Sequence, residues 1–225
     1  DTPIDLAYHG LDLHRFQSDQ TAASANGDCL QILSIGRFCE KKGFPDLLTA
    51  CTHLNLAGVP FACTIVGFGP LQEALELQIQ AFHLQDQVTL IGQLTQDQVI
   101  EQYRAADAFV LPCQVTADGD RDGIPNVLIE AMAMELPVIS TAISGITELI
   151  VSGENGILVP EKDPSAIAQA LIQLAEDPEQ RRTLGLAGRK TVTENFALEK
   201  NVAQVKALLL KTLTRHSASP VNLSS

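Results

Sequence analysis

The sequence predicts an α/β protein with a doubly wound, Rossmann-like parallel sheet of about six strands and helices on both faces. Short apolar runs alternate along the chain with longer segments of helical apolar spacing, and no repeat of fixed period is visible. The apolar runs are unbroken, as is typical of parallel strands that are covered on both faces. Because such sheets bind ligands at the carboxyl ends of their strands, we expect the functional residues in the loops that follow strands.

Composition excludes several classes of protein. The chain has 225 residues, 45% of them hydrophobic, which suffices for one large domain with its own core. Its formal net charge of −12 argues against nucleic acid as a partner. The five cysteines are an odd number without a C-x-x-C pair, so we expect free or buried thiols in a reducing compartment. No apolar run approaches the ~20 residues that span a bilayer, and no transmembrane segment is expected.

The apolar patterns place the elements in order. Thr95, Asp163 and Asp177 have the side chains of helix N-caps, and Pro164 and Pro178 fit first helical positions. Strands are predicted at residues 31–36, 61–67, 88–92, 108–111, 138–141 and 157–159, after a possible short strand at 4–6. Helices are predicted at residues 44–57, 71–84, 96–105, 127–134 and 164–175, from 178 onward, and at 197–213.

The chain is predicted to have three parts. Residues 1–27 form a polar lead-in or interdomain linker, residues 28–215 the α/β domain, and residues 216–225 a polar tail expected to be disordered. The opening is unlike a protein N-terminus, so we expect that the chain begins within a longer protein. In the helix that starts at 178, the cations at 181, 182, 189 and 190 are expected to be solvated. The final helix is expected to pack through a stripe of Val202, Val205, Leu208 and Leu209.

Cations are concentrated after the first strand. Between Arg15 and Arg104, the only Lys and Arg residues are Arg37, Lys41 and Lys42. In an acidic protein this concentration predicts a local anion site, because Arg makes forked contacts to phosphate and Lys supplies a mobile positive charge. A solvated loop with chance charges is the alternative on charge count alone.

A second anion site is predicted at the start of the helix that follows the fourth strand. Pro125 fits the first turn of this helix, and the free N–H groups of the turn, with Asn126 and Val127 as candidates, make a donor-rich mouth for phosphate. Two carboxylates bracket the mouth, Asp122 before the helix and Glu130 within it. Since an unpaired buried charge is costly, Glu130 in so apolar a helix is expected to have a partner. A solvated helix face is the alternative.

The segment 122–130, DGIPNVLIE, resembles the E-x7-E signature of retaining, family 4 type glycosyltransferases of the GT-B fold. The residues Gly36-Arg37 and Lys41-Lys42-Gly43 resemble the diphosphate-binding loop of the same family. The resemblance covers about residues 4–213 and implies the C-terminal, donor-binding half of a GT-B enzyme. The chain departs from the family at the first acid, where Asp122 stands in place of the usual Glu.

The resemblance implies roles for particular residues. Arg37 and Lys42 would neutralise the departing nucleoside diphosphate, Asp122 would hold the transferred sugar, and Glu130 would hold the ribose. Small residues in the Gly-x-Gly-Pro turn after the second strand would allow close approach of the nucleotide, with a plain strand-to-helix turn as the alternative. The implied catalytic residues are Arg37, Lys42 and Asp122. The implied donor-binding residues are Gly36, Gly67, Gly69, Gly92, Gln93, Gly123, Ile124, Pro125, Asn126, Val127 and Glu130, and Ser144 and Gly145 are further candidates.

The resemblance also implies partners. The donor would be a UDP-, GDP- or ADP-sugar, and the sugar would pass with retention to a polysaccharide or lipid-linked glycan. The acceptor would be held by an N-terminal domain that this chain lacks, so the fragment is expected to bind nucleotide and transfer little. No cofactor and no essential metal are expected. The resemblance places the protein in the cytoplasm, where the full-length form can sit at the inner face of the membrane.

Other interpretations of the same residues remain open. The acidic loop at 118–123 is similar to an EF-hand loop, but that motif needs a glutamate at its last position, where Ile129 stands, and Pro125 falls inside it. Asp118-Gly-Asp120 also mimics the metal-binding D-x-D of a different glycosyltransferase fold. A non-catalytic nucleotide-sugar-binding module, which Asp122 in place of Glu favours, and a related GT-B enzyme such as a sugar-nucleotide epimerase are the alternative functions.

Overall fold

The computed structural model describes residues 6–17 and 29–217, with side chains up to residue 211. Most of the short strand predicted at 4–6, residues 18–27 of the predicted lead-in or linker, and the part of the predicted tail beyond 217 lie outside the described residues. Residues 6–17 pack against the far end of the chain: the Leu11 N–H donates to the Phe196 carbonyl at 2.7 Å, and Phe16 is buried. The start of the chain therefore contributes to the core of the domain.

Six parallel strands form one sheet, as the sequence predicts. The strands are β1 (Leu30–Ile35), β2 (Phe61–Val66), β3 (Val88–Ile91), β4 (Ala108–Leu111), β5 (Val138–Thr141) and β6 (Ile157–Val159). Their order is β3-β2-β1-β4-β5-β6. The chain thus moves outward from β1 to β3, returns to the centre at β4, and moves outward again to β6. The carboxyl ends of β1 and β4 form the switch point at which doubly wound sheets bind their ligands.

The helices connect and cover these strands. They are α1 (Phe44–Leu56), α2 (Gln72–Ala81), α3 (Gln96–Ala105), α4 (Asn126–Ala133), α5 (Ile146–Leu149), α6 (Pro164–Glu176), α7 (Pro178–Asn195) and α8 (Leu198–Ser217), with a short 3₁₀ helix at Glu40–Lys42. The predicted N-caps are confirmed. Thr95 forms a capping box with Gln98, and the carboxylates of Asp163 and Asp177 accept hydrogen bonds from first-turn N–H groups. No helix in the described part of the chain is both long and apolar enough to cross a membrane.

Three buried hydroxyl groups fix β4 between its neighbours. Ser34 of β1 donates to the carbonyl of Val110, and Ser140 of β5 donates to the carbonyl of Leu111 at 2.7 Å. Thr141 donates to the carbonyl of Cys113 at 2.5 Å, just beyond the end of β4. Because each hydroxyl satisfies a carbonyl away from water, the end of β4 is held in one position. The loop that starts there carries the acidic residues of the candidate site.

The prediction of solvated cations on α7 is wrong for two residues. Arg181 donates to the carbonyl of Leu174 at 2.5 Å, near the end of α6. Arg189 donates to the carbonyls of Phe16 and Ala133, the latter at the end of α4. Carbonyls in the last turn of a helix lack partners within the helix, and a cation can satisfy them. Both arginines therefore tie elements together instead of facing only water.

The packing stripe predicted for α8 is wrong for three of its four residues, while Leu208 is half-buried. Val202, Val205 and Leu209 are 57%, 42% and 61% exposed. They line one side of an open groove of about 400 Å³, with Tyr8 and His9 on the other side. The apolar spacing does form a helix face, but Val202, Val205 and Leu209 on that face remain exposed.

Candidate functional site

The loops after β1 and β4 meet at the switch point and bring two charged residues together. Lys42 ends the 3₁₀ helix that follows β1, and Asp122 lies in the loop that follows β4. The Lys42 Nζ lies 2.8 Å from Asp122 Oδ2, and the two side chains are only 12% and 18% exposed. The structure thus joins two of the three residues for which the family resemblance implies catalytic roles.

The two loops are also joined through their backbones. Gly43 has a φ of 66°, and a Cβ atom at this position would lie 1.9 Å from the carbonyl oxygen of Pro112. The Gln114 N–H donates to the carbonyl of Lys41 at 3.0 Å, and the Gln114 amide donates to the carbonyl of Glu40 at 2.7 Å. The conformation of Gly43 and this close approach both require glycine. The distance between the cationic loop and the acidic loop is therefore fixed by backbone contacts.

Lys41 forms ion pairs with two carboxylates of the acidic loop. Its Nζ lies 3.1 Å from Asp120 Oδ1 and 3.7 Å from Asp122 Oδ1. The hydrogen bond to Asp120 raises the pKa of Lys41. Among the residues that the structure describes, no group of three or more His, Cys, Asp or Glu side chains is placed to hold a metal ion. The acidic side chains at 120 and 122 are instead paired with the two lysines.

Arg37 projects from the loop directly after β1 and is exposed. Across residues 6–17 and 29–211, no ion pair to its guanidinium is present. A guanidinium carries five N–H donors in a planar fork that matches phosphate oxygens. Arg37 is therefore a cation with donors to offer a ligand, and it lies five positions before Lys42 in the loop after β1.

The N-terminus of α4 opens a few residues after Asp122. The helix starts at Asn126 with Pro125 as its N-cap, and no side chain caps its first turn. The first N–H groups of a helix have no partner within the helix, so this turn can donate to an anion. The segment before the helix packs against Gly145, where an added Cβ atom would lie 2.9 Å from the Ile124 side chain. Gly123 is exposed, with open space around its Cα.

Glu130 has the partner that its apolar surroundings predict. The Tyr103 hydroxyl donates to Glu130 Oε2 at 2.9 Å. Burial raises the pKa of the Glu130 carboxyl, and the hydrogen bond from Tyr103 acts in the opposite direction. Tyr103 lies on α3 and was not identified from sequence, because an isolated tyrosine among polar helical residues carries no distinguishing pattern.

A thiol lies behind Asp122. The Cys113 Sγ is 3.6 Å from Asp122 Oδ2, and burial raises the pKa of this thiol to about 12. Cys113 is therefore a neutral neighbour of the carboxylate at physiological pH. All five cysteines are free, and Cys51, Cys63 and Cys113 are buried. No sequence pattern links Cys113 to the site, since only the fold brings it to Asp122.

Gly67 and Gly69 have a structural reason to be glycine. A Cβ atom on Gly67 would lie 1.9 Å from the carbonyl oxygen of Gly36, and one on Gly69 would lie 2.5 Å from the carbonyl oxygen of Phe38. The loops after β1 and β2 therefore touch through their backbones. These contacts support the interpretation of the Gly-x-Gly-Pro segment as a turn packed against its neighbour.

Gly92 and Gln93 lie farther along the same edge of the sheet. They follow β3, the outermost strand on that side, and both are exposed. The Gly67 N–H donates to the carbonyl of Ile91 at 2.9 Å, which places Gly92 beside the loop after β2. The assignment of Gly92 and Gln93 to the donor site remains a prediction.

The chain is similar in sequence to known proteins. Residues 16–191 match the model of a family described as glycosyl transferases group 1. The amylovoran biosynthesis glycosyltransferase AmsK of Erwinia amylovora is 41% identical over 167 residues, which are 74% of this chain and 41% of that protein. The chain spans about half the length, or less, of the first curated relatives it matches.

Solved structures share the fold. Sucrose-phosphate synthase from Thermosynechococcus elongatus superimposes with a TM-score of 0.82 at 28% identity, over 94% of this chain and 53% of that one. The C-terminal domain of LpcC, a glycosyl transferase group 1 family protein from Francisella tularensis, superimposes with a TM-score of 0.72 at 24% identity. That superposition covers 84% of this chain and 100% of the LpcC domain.

Proposed function

The chain belongs to the glycosyl transferases of group 1 and has the fold of the C-terminal half of a GT-B enzyme, and from this premise we propose that it is the donor-binding half of a retaining transferase. The enzyme moves a sugar from a nucleotide diphosphate sugar to a glycan acceptor. The observation that carries the proposal is the contact between Lys42 and Asp122 at the switch point of the sheet. It places a cation for phosphate and a carboxylate for sugar hydroxyls side by side.

The cations act on the leaving group. As the bond between the sugar and the diphosphate breaks, negative charge grows on the diphosphate oxygens, and Arg37 and Lys42 stabilise it. Lys42 is largely shielded from solvent, so its interaction with a phosphate is less screened than that of a surface lysine. We propose that no metal and no cofactor is needed, because these two side chains and the first turn of α4 supply the positive charge.

The carboxylates hold the two ends of the donor. Asp122 accepts hydrogen bonds from hydroxyls of the transferred sugar, and the backbone of the segment 123–127 binds the neighbouring phosphate. Although Asp122 is one methylene shorter than the glutamate usual in the family, it reaches both lysines. Glu130 accepts hydrogen bonds from the ribose. The loops after β2 and β3 lie along the same edge of the sheet, and we assign the base to that side.

The acceptor is assigned to the rest of a longer protein. The chain spans about half the length of its curated relatives. In addition, α8 exposes the apolar side chains of Val202, Val205 and Leu209. Exposed apolar patches of this kind mark interaction sites. We propose that this stripe contacts the acceptor-binding half, and that a cytoplasmic enzyme works at the inner membrane face on a polysaccharide or lipid-linked glycan. The name of AmsK, which refers to biosynthesis of amylovoran, supports a polysaccharide product.

A transfer assay tests the division of labour. The 225 residues alone are expected to bind the donor and to transfer little, whereas the same residues within the full-length protein transfer sugar to a glycan-lipid extract. Transfer is measured as release of UDP, GDP or ADP from the matching sugar donor. An Asp122→Asn variant of the full-length protein serves as the control and is expected to lose transfer. Ready transfer by the isolated chain contradicts the proposal.

A further inference from the structure

We propose that Tyr103 is a positioning residue for the donor, which fixes the carboxylate of Glu130 for the ribose. The proposal rests on the function proposed for Glu130 above. The Tyr103 hydroxyl lies 2.9 Å from Glu130 Oε2, and the two residues are 27 positions apart in the chain. The hydrogen bond therefore joins α3 to α4 and depends on the tertiary placement of the two helices, not on helix geometry alone.

Glu130 needs such a partner. Its neighbours Ile129 and Ala131 are buried, and Glu130 itself is only partly exposed. A glutamate side chain has several freely rotating bonds, and ordering it at the moment of binding costs affinity. The hydrogen bond from Tyr103 orders it beforehand. In the part of the chain with described side chains, Glu130 makes no other side-chain hydrogen bond, so the second carboxylate oxygen has acceptor capacity for a ligand.

Tyr103 is itself held rigidly. Its side chain is 1% exposed, and its ring lies 5.8 Å from that of Phe109 on β4. Its hydroxyl is also 3.3 Å from the carbonyl oxygen of Val127, in the first turn of α4. The single hydroxyl proton favours the nearer carboxylate, and the Val127 carbonyl is a second acceptor. Contacts with both β4 and α4 therefore place the hydroxyl.

A role in packing alone does not require the hydroxyl group. Phenylalanine at position 103 would fill the same space and keep the contact with Phe109. If the hydroxyl only stabilises the fold, its loss lowers the free energy of unfolding and weakens every nucleotide alike. If it positions Glu130, its loss weakens only those nucleotides that carry the ribose hydroxyls. The two roles therefore differ in a measurable way.

The test compares ribonucleotides with their dideoxy analogues. UDP, GDP or ADP, whichever the chain binds, and its 2′,3′-dideoxy counterpart are titrated into the unmodified chain, Tyr103→Phe and Glu130→Gln. We expect Tyr103→Phe to weaken the ribonucleotide about five- to tenfold, the value of one hydrogen bond, and to leave the dideoxy form within about twofold. Glu130→Gln is expected to show the same selectivity, and adding Tyr103→Phe to it to cause little further loss.

The possible outcomes distinguish the positioning role of Tyr103 from the ribose-binding role of Glu130. Equal weakening of both nucleotides by Tyr103→Phe assigns the hydroxyl to structure and overturns its positioning role. Selective weakening by Glu130→Gln but not by Tyr103→Phe has the same consequence, while the ribose role of Glu130 stands. If Glu130→Gln does not discriminate between the nucleotides, the ribose role and the positioning role both fail. Thermal melting of each variant shows that the titrated protein is folded, and the Glu130→Gln variant keeps the Tyr103 ring in place.

Discussion

A double variant, Arg37→Ala with Lys42→Ala, is expected to weaken binding of a nucleoside diphosphate by at least about a hundredfold. A hydrogen bond to a charged group contributes roughly 1.5–3 kcal/mol, and each ~1.4 kcal/mol is a tenfold change in affinity. Lys42 is mostly shielded from water, while Arg37 has its donors available for the ligand. Removal of Lys42 also leaves Asp122 with one close cation fewer, so that an unbalanced carboxylate faces the phosphates.

A control variant has to separate the loss of direct contacts with the nucleotide from the change in the net charge of the protein. Arg182 and Lys190 on α7 are exposed, and replacing both by Ala changes the net charge by the same amount. We expect that variant to bind within about threefold of the unmodified chain, because screened surface charges act weakly over distance. Lys41→Ala tests the neighbouring residue and is expected to have an intermediate effect through Asp120 and Asp122. Similar losses in the Arg182/Lys190 pair would show that the effect is not local.

Gly43→Ala is the second variant with a large expected effect, and the effect is on the stability of the fold. We expect the free energy of unfolding to fall by about 3 kcal/mol or more, because a left-handed residue costs ~1–2 kcal/mol and forcing atoms into a packed site costs ~1–3 kcal/mol. The Cβ atom would lie 1.9 Å from the carbonyl oxygen of Pro112, so the loops after β1 and β4 must separate. Nucleotide binding by the folded fraction is expected to weaken as well.

Gly58 offers a matched control for this change. Its φ of 69° is almost the same as the 66° of Gly43, yet a Cβ atom at Gly58 would have no neighbour within 4 Å. Gly58→Ala is therefore expected to cost only the backbone term, about 1 kcal/mol, and to leave nucleotide binding unchanged. Urea denaturation measures both variants. Equal losses for Gly43→Ala and Gly58→Ala would mean that the two loops are not locked to each other.

Much of the fold follows from local sequence signals. The strands β4, β5 and β6 have the bounds that the apolar runs predict, because Pro112, Pro137 and neighbouring polar residues interrupt those runs. The starts of α3, α6 and α7 are set by capping side chains that act within one helical turn. The residue types predict an anion site in the cationic loop after β1 and ligand-binding carboxylates in and after the acidic loop that follows β4. The order of the strands brings these two loops together.

The features that sequence analysis missed depend on contacts between distant residues. The phenol of Tyr103 reaches Glu130 from another helix, and Arg189 reaches Phe16 across 173 positions. No local pattern distinguishes such a tyrosine or arginine from one on a solvated surface. The stripe on α8 was misassigned for a related reason, since apolar periodicity predicts a face that needs covering but does not say which element covers it.

We propose that the switch point between β1 and β4 binds a nucleoside diphosphate without metal. Calorimetric titration of the chain with UDP, GDP and ADP in the presence of a chelator tests it most directly. We expect tight binding of one of the three nucleotides, which identifies the base of the donor, and loss of that binding in the Arg37→Ala/Lys42→Ala variant. A folded sample that binds none of them, or that binds only after calcium or manganese is added, would show that the switch point is not a metal-independent diphosphate site.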